Sequence, residues 1–129
     1  PVRDVVIGPE YLDVCVPAGA RFAHPTKREH TVLAYVIGGG GRFGPLPEAS
    51  GGHQLVEPMT WNHSLILFGD GDQVVAYAGQ EPLRFLLNSG RPLGEPIDWY
   101  GPIVMNTQEE LRVAVDEYRK GTFIKQGSE

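Results

Sequence analysis

The sequence predicts an all-β fold, a sandwich or barrel, finished by one C-terminal amphipathic α-helix. Three observations predict it. Short β-rich runs recur along the chain, 17 glycines and 11 prolines punctuate them, and a single late stretch carries helical periodicity with caps. A length of 129 residues supplies one compact core and is too short for two ordinary domains, so residues 1–129 are expected to form a single domain.

The β-rich runs are residues 5–7, 11–16, 31–37, 64–68, 73–78 and 83–87. Asp70-Gly71, between the fourth and fifth runs, reads as a hairpin of type I′, a turn that needs positive φ at both central residues. Asp70 and Asp72 suggest calcium, but the rest of a calcium loop is missing, so the turn reading is preferred. The run 31–37 (TVLAYVI) is apolar without alternation, which predicts a strand covered on both faces. Gly38 to Gly41 follow as a flexible turn, and residues 45–52 (PLPEASGG) have the composition of an exposed loop joining two strands. The helix is expected at about 107–120. Thr107-Gln108-Glu109-Glu110 is a capping box, Leu111, Ala114, Val115 and Tyr118 share one face, and Gly121 is a stop before a short tail after 123.

Composition excludes several function classes. The net charge is −5, and Arg3, Lys27-Arg28 and Arg119-Lys120 form no basic stripe, so nucleic acid is not expected as a direct partner. No apolar stretch approaches the roughly 20 residues that cross a bilayer, so no membrane role is expected. A single cysteine excludes an internal disulfide framework and fits a reducing, cytoplasmic location. Within its apolar run Cys15 is expected to be a small buried side chain. No signal peptide is visible, Asn62-His63-Ser64 reads as a chance sequon, and the start at Pro1 suggests a piece of something longer.

No nucleophile elbow, phosphate loop or dinucleotide fingerprint is present, so no catalytic and no cofactor-binding residue is assigned. The four histidines are His24, His30, His53 and His63. The segment His24-Pro25-Thr26-Lys27-Arg28-Glu29-His30 is the metal candidate by spacing, because zinc or iron usually takes three or four imidazole, carboxylate or thiolate ligands. His24 and His30 are the candidate pair, with Glu29 or His63 as groups the fold would have to bring in. Tyr11, Trp61, Trp99 and Tyr100 would suit a pocket for a planar ligand, although such aromatics in small β domains are more often core or interface.

Several segments, in order, resemble the pirin family. They are Pro9-Glu10-Tyr11-Leu12-Asp13-Val14, Pro17-Ala18-Gly19, His30-Thr31-Val32-Leu33-Ala34-Tyr35-Val36, Leu67-Phe68-Gly69-Asp70-Gly71-Asp72 and Arg84-Phe85-Leu86-Leu87. The most specific piece is Gly90-Arg91-Pro92-Leu93-Gly94-Glu95-Pro96-Ile97, followed by Tyr100-Gly101-Pro102-Ile103-Val104-Met105-Asn106-Thr107. Pirins hold two cupin barrels in one chain, and this chain resembles the second. The resemblance implies a cupin-like β-sandwich or barrel, a double-stranded β-helix. It also implies a metal-dependent quercetinase-like dioxygenase in bacteria, or an iron-linked transcriptional co-regulator in animals. Both activities depend on iron or another divalent metal held in the first barrel.

Laid on this chain, the first barrel's ligand motif finds a His at His24. The second His falls on Thr26, the later His and Glu fall on Val74 and Ala76, and the acid after the third run is replaced by Gly38. His30 is a stand-in at most. A hydroxyl and two apolar groups cannot replace imidazole and carboxylate at a divalent ion. The expectation is therefore a metal-free, non-catalytic domain with no cofactor of its own. Its expected partner is the N-terminal cupin barrel of a parent chain or a second copy of itself. Such a homodimer would form through exchange of the segment near 5–7 or docking of the C-terminal helix. The alternatives are a metal-dependent quercetinase-like dioxygenase and a small-molecule-binding regulatory cupin.

Overall fold

The computed structural model describes residues 5–44 and 58–125, in two compact units that divide between Pro92 and Leu93. The first unit contains β1 (Glu10–Val16), β2 (Arg21–Pro25), β3 (Thr31–Gly38), β4 (Gly40–Phe43), β5 (Thr60–Trp61), β6 (Leu65–Leu67), β7 (Gln73–Ala78) and β8 (Leu83–Gly90). They form two antiparallel four-stranded sheets, ordered β1-β8-β3-β6 and β2-β7-β4-β5. The chain steps repeatedly from one sheet to the other, the winding expected of a cupin-like β-sandwich.

Strand alternation builds the core between the sheets. Val14 and Val16, Val32, Ala34 and Val36, and Leu83, Phe85 and Leu87 point inward from the first sheet. Phe43, Val74, Ala76 and Ala78 meet them from the second. Phe85 sits at the centre, edge-on to Phe22 at 5.6 Å and to Phe43 at 5.1 Å between ring centroids. Phe43 in turn meets Phe68 at 6.1 Å. Aromatic rings, rather than an open channel, occupy this part of the interior.

Several expectations are corrected. Residues 5–7 are a turn closed by Gly8 N–H on the Val5 carbonyl at 2.9 Å, and Arg91 pins it by donating from its backbone N–H to Ile7 O and from its guanidinium to Val6 O. β3 is buried on one face only, because Leu33 is half-buried and Tyr35 exposed on the other. Hydrophobic composition alone hid that asymmetry. Cys15 is exposed, since alternation puts it on the solvent side between the buried Val14 and Val16. Gly40 and Gly41 are strand residues: a bulge at Ile37 ends β3, Gly39 turns with φ +67°, and β4 begins at once. A Cβ on Gly41 would lie 2.5 Å from the Tyr77 carbonyl oxygen, so close approach of the neighbouring strand explains this glycine.

Asp70-Gly71 is not a type I′ hairpin. It links β6 and β7, which belong to different sheets, and neither residue has positive φ. The two aspartates instead clasp the turn before β3. Asp70 accepts from Glu29 N–H at 2.8 Å, and Arg28 reaches Asp72 at 3.3 Å. The exposed loop read at 45–52, Arg3, His53 and the end of the tail at 126–129 lie outside the described residues.

The second unit holds β9 (Asp98–Tyr100), β10 (Ile103–Met105) and α1 (Gln108–Lys120). β9 and β10 form an antiparallel hairpin, absent from the sequence reading, that turns through Gly101 at φ +58°. The helix starts as expected: Thr107 Oγ1 accepts from Glu110 N–H at 3.2 Å, and the Glu110 carboxylate accepts from Thr107 N–H at 3.0 Å. Gly121 closes it in the left-handed conformation, donating to Tyr118 O. α1 packs on the hairpin, and Gln108 donates to Asp98 at 2.7 Å. Asn106 holds the preceding segment by donating to Glu95 and to Pro96 O, both at 3.0 Å. Leu111 and Ala114 are buried and Val115 is half-buried, but Tyr118 is exposed and meets Phe123 edge-on.

Candidate functional site

The site is built at one end of the first unit. On β2, Phe22 and His24 alternate inward while Arg21, Ala23 and Pro25 face out. The imidazole of His24 lies nearly parallel to the Phe22 ring, 13° off at 6.1 Å. Glu10, the first residue of β1, shares the inward register of Leu12, Val14 and Val16. It reaches across from the other sheet, and its Oε2 accepts from His24 Nε2 at 2.8 Å. His30 ends the turn that follows β2, with its backbone N–H on Lys27 O at 3.3 Å. Its Nδ1 is buried and has no hydrogen-bond partner. Glu10, Thr26, Lys27, His30 and Ser89 line a cleft of about 320 Å³ there.

The structure separates the sequence candidates. His24 and His30 sit at this one end, but His24 is committed to Glu10. His63 lies at the other end of β3, its N–H on Val36 O, at roughly 3.3 Å of strand per residue from His30. Glu29 is held by its backbone to Asp70. The positions that the family motif would use do converge. Val74 is directly opposite His24 in the β2–β7 register, and Ala76 opposite Phe22. They are 2% and 0% exposed and offer no lone pair. Thr26 donates its N–H to Asp72 O at 2.9 Å, with its hydroxyl 3.5 Å from Gly71 O. Among the described residues no group of three or more His, Cys, Asp or Glu side chains could hold a metal ion. This donor set does not fit a divalent ion, which usually takes three or four protein ligands where His24 and Glu10 make two.

The aromatic candidates form no common pocket within the first unit. Trp61 lies against Gly40, its partner across β4 and β5, and Tyr11 faces solvent on β1. Trp99 and Tyr100 are exposed on β9, so the core reading fails for all four. A larger groove of about 760 Å³ runs along α1. Its charges pair along the helix itself, Arg112 with Glu109 at 2.8 Å and Asp116 with Lys120 at 2.6 Å. It therefore resembles a solvated helix face more than a reaction site. The site residues that the sequence reading did not single out are Glu10, Lys27 and Ser89. The inward alternation 10-12-14-16 was a usable signal for Glu10.

Residues 11–124 match the model of the pirin C-terminal cupin domain. This chain belongs to the pirin family.

Among curated relatives, a pirin-like protein of Arabidopsis thaliana is 36% identical over 112 residues, covering 84% of this chain and 34% of the relative. A pirin-like protein of Caulobacter vibrioides is 33% identical over 123 residues, 95% of this chain and 40% of its own length. Human pirin is 35% identical over 111 residues, covering 84% of this chain and 35% of human pirin. The chain therefore spans little more than a third of these pirin relatives. Among solved structures, a quercetin 2,3-dioxygenase from Acinetobacter baumannii superposes with a TM-score of 0.75 at 25% identity, over 94% of this chain and 38% of the other. A Cupin_2 domain of a transcriptional regulator from Enterobacter cloacae, at 13% identity and TM-score 0.52 over 69% of this chain and 87% of that one, supports the cupin fold alone.

Proposed function

We propose that this pirin domain is a metal-free, non-catalytic cupin module that packs against a second cupin barrel in the cytoplasm. One observation carries the reading: Val74 and Ala76, the positions on which the pirin first-barrel motif lays its later His and Glu, are buried, apolar and opposite His24 and Phe22. The edge-to-face packing of Phe22, Phe43 and Phe85 supports it by filling interior space. The partner is the other barrel of the parent chain, because relatives are long enough to hold one, and this domain covers 34 to 40% of the three described above. The exposed thiol of Cys15 suits a reducing compartment. On its own the domain is expected to pair with a second copy. Exchange of residues 5–7 as a strand no longer supports that pairing, since they form a turn.

A second reading is favoured by the likeness to the quercetin 2,3-dioxygenase, of which this chain covers 38%. In it the full-length parent is a quercetinase-like oxidoreductase whose metal sits in the other barrel. The experiment is elemental analysis of untagged protein, followed by oxygen uptake with quercetin after supply of iron, manganese, nickel or cobalt. The expected result is substoichiometric metal and no turnover above a heat-denatured control. Near-stoichiometric metal that disappears in His24→Ala, or metal-dependent turnover by this domain, would overturn the proposal.

A further inference from the structure

We infer that the cleft between the start of β1, the turn after β2 and the end of β8 binds a small organic monocarboxylate, held by Lys27 and His30. A purely supporting module needs no such site, so the inference goes beyond the function proposed above.

The argument begins with two groups that lack partners. Among the described residues no acidic side chain pairs with the Lys27 ammonium. The buried Nδ1 of His30 is the one buried side-chain polar atom among them left without a hydrogen bond. Such an atom is a standing penalty that a ligand acceptor would relieve. Both groups border the same point. A Cβ built on Gly8 would lie 3.8 Å from Lys27 Nζ and 4.0 Å from His30 Cε1. Gly8 has no side chain to fill that corner, and its φ of +52° disfavours one. A carboxylate in the cleft beside that corner can accept from the Lys27 ammonium with one oxygen, and a rotation of the His30 ring that brings the buried Nδ1 to the cleft lets the other accept from its Nδ1–H tautomer.

The surroundings define the class of acid. Pro9 and Pro25 give apolar walls for an organic body, and Ser89 adds a hydroxyl. About 320 Å³ lies at the small end of the range for ligand sites. The Glu10 carboxylate also lines the cleft, with one oxygen bonded to His24. That negative charge repels a doubly charged phosphate more than a singly charged acid, so of the two the monocarboxylate is the better fit.

The test is backbone amide NMR of the 129-residue protein titrated with benzoate, neutral benzamide and inorganic phosphate. Benzoate is expected to shift amides of residues 8–10, 26–30 and 89 saturably, while benzamide leaves them in place. Lys27→Met keeps the exposed stem but removes the charge, and should weaken benzoate by about tenfold or more. His30→Leu should weaken it as well. Three results would overturn the inference: no movement of these amides with benzoate, undiminished affinity in Lys27→Met, or phosphate binding as tightly as benzoate. Metal content and oxygen uptake test the proposed function separately, so failure of either leaves the other intact.

Discussion

Truncating Phe85 tests whether the cupin interior is as full as its packing indicates. Phe85 is 0% exposed and touches Phe22 and Phe43 edge-on. Removing a fully buried Phe side chain forfeits about 1.5–3 kcal/mol of transfer energy. Each lost edge-to-face contact adds about 0.5–1.5 kcal/mol. The sum, near 4 kcal/mol, agrees with the roughly 3–5 kcal/mol usual for Phe→Ala in cores that cannot collapse. β8 is paired on both sides, to β1 and β3, so its backbone has little freedom to close the gap. Against a total stability of about 5–15 kcal/mol this is a large fraction. At about 4 °C per kcal/mol for a chain this size, Phe85→Ala should lower Tm by about 15 °C. Phe85→Leu, which keeps most of the volume, should lose less than half as much. Urea and thermal unfolding followed by circular dichroism give both numbers. A loss below about 1 kcal/mol for Phe85→Ala would mean slack around the ring. The filled-interior support for a non-catalytic module would then fall.

Two further predictions follow from local chemistry. Thr107→Ala should remove the capping box and destabilise α1 by about 1 kcal/mol, read as faster hydrogen exchange of the first-turn amides, with Thr107→Ser restoring protection. Hydrogen bonds from the Arg84 guanidinium at 3.0 and 2.6 Å hold the Asp13 carboxyl below the usual carboxylate range. The stability it contributes is therefore complete above the ordinary carboxylate value and lost as pH falls through the lower folded value. A carboxyl NMR titration should show Asp13 ionising at lower pH than in Arg84→Met; identical curves would refute the assignment.

Signals that depend on neighbours in sequence were the legible ones. The capping box, the Gly121 stop and the β-rich runs 73–78 and 83–87, which form β7 and most of β8, are set within a few residues of chain, and local composition and periodicity report them. β2 was missed because it is five residues long and ends in Pro25. The bulge at Ile37 was not foreseen, and the close approach at Gly41 was read as flexibility because glycine permits both a turn and a tight strand contact, and only the opposing strand decides between them. Asp70-Gly71 failed for a related reason. A hairpin signal presumes that consecutive strands pair, whereas here they enter different sheets.

The candidate site depends on that same crossing. His24 stands opposite Val74 because β2 pairs with β7, 50 positions on in this numbering, and it meets Glu10 because β1 lies in the facing sheet. The family motif marked Val74 and Ala76 as the positions to inspect, and the register shows that they are the spatial partners of His24 and Phe22. The motif gave no sign that the surviving imidazole would be bound by a carboxylate 14 residues earlier in the chain. That pairing bears on chemistry. A histidine whose Nε2 is hydrogen-bonded to Glu10 and which faces a buried valine keeps a lone pair on Nδ1 alone and lacks, across the strand pair, the second ligand that metal binding requires. His30, left over at the edge of the cleft with Lys27, is then free for a different kind of ligand.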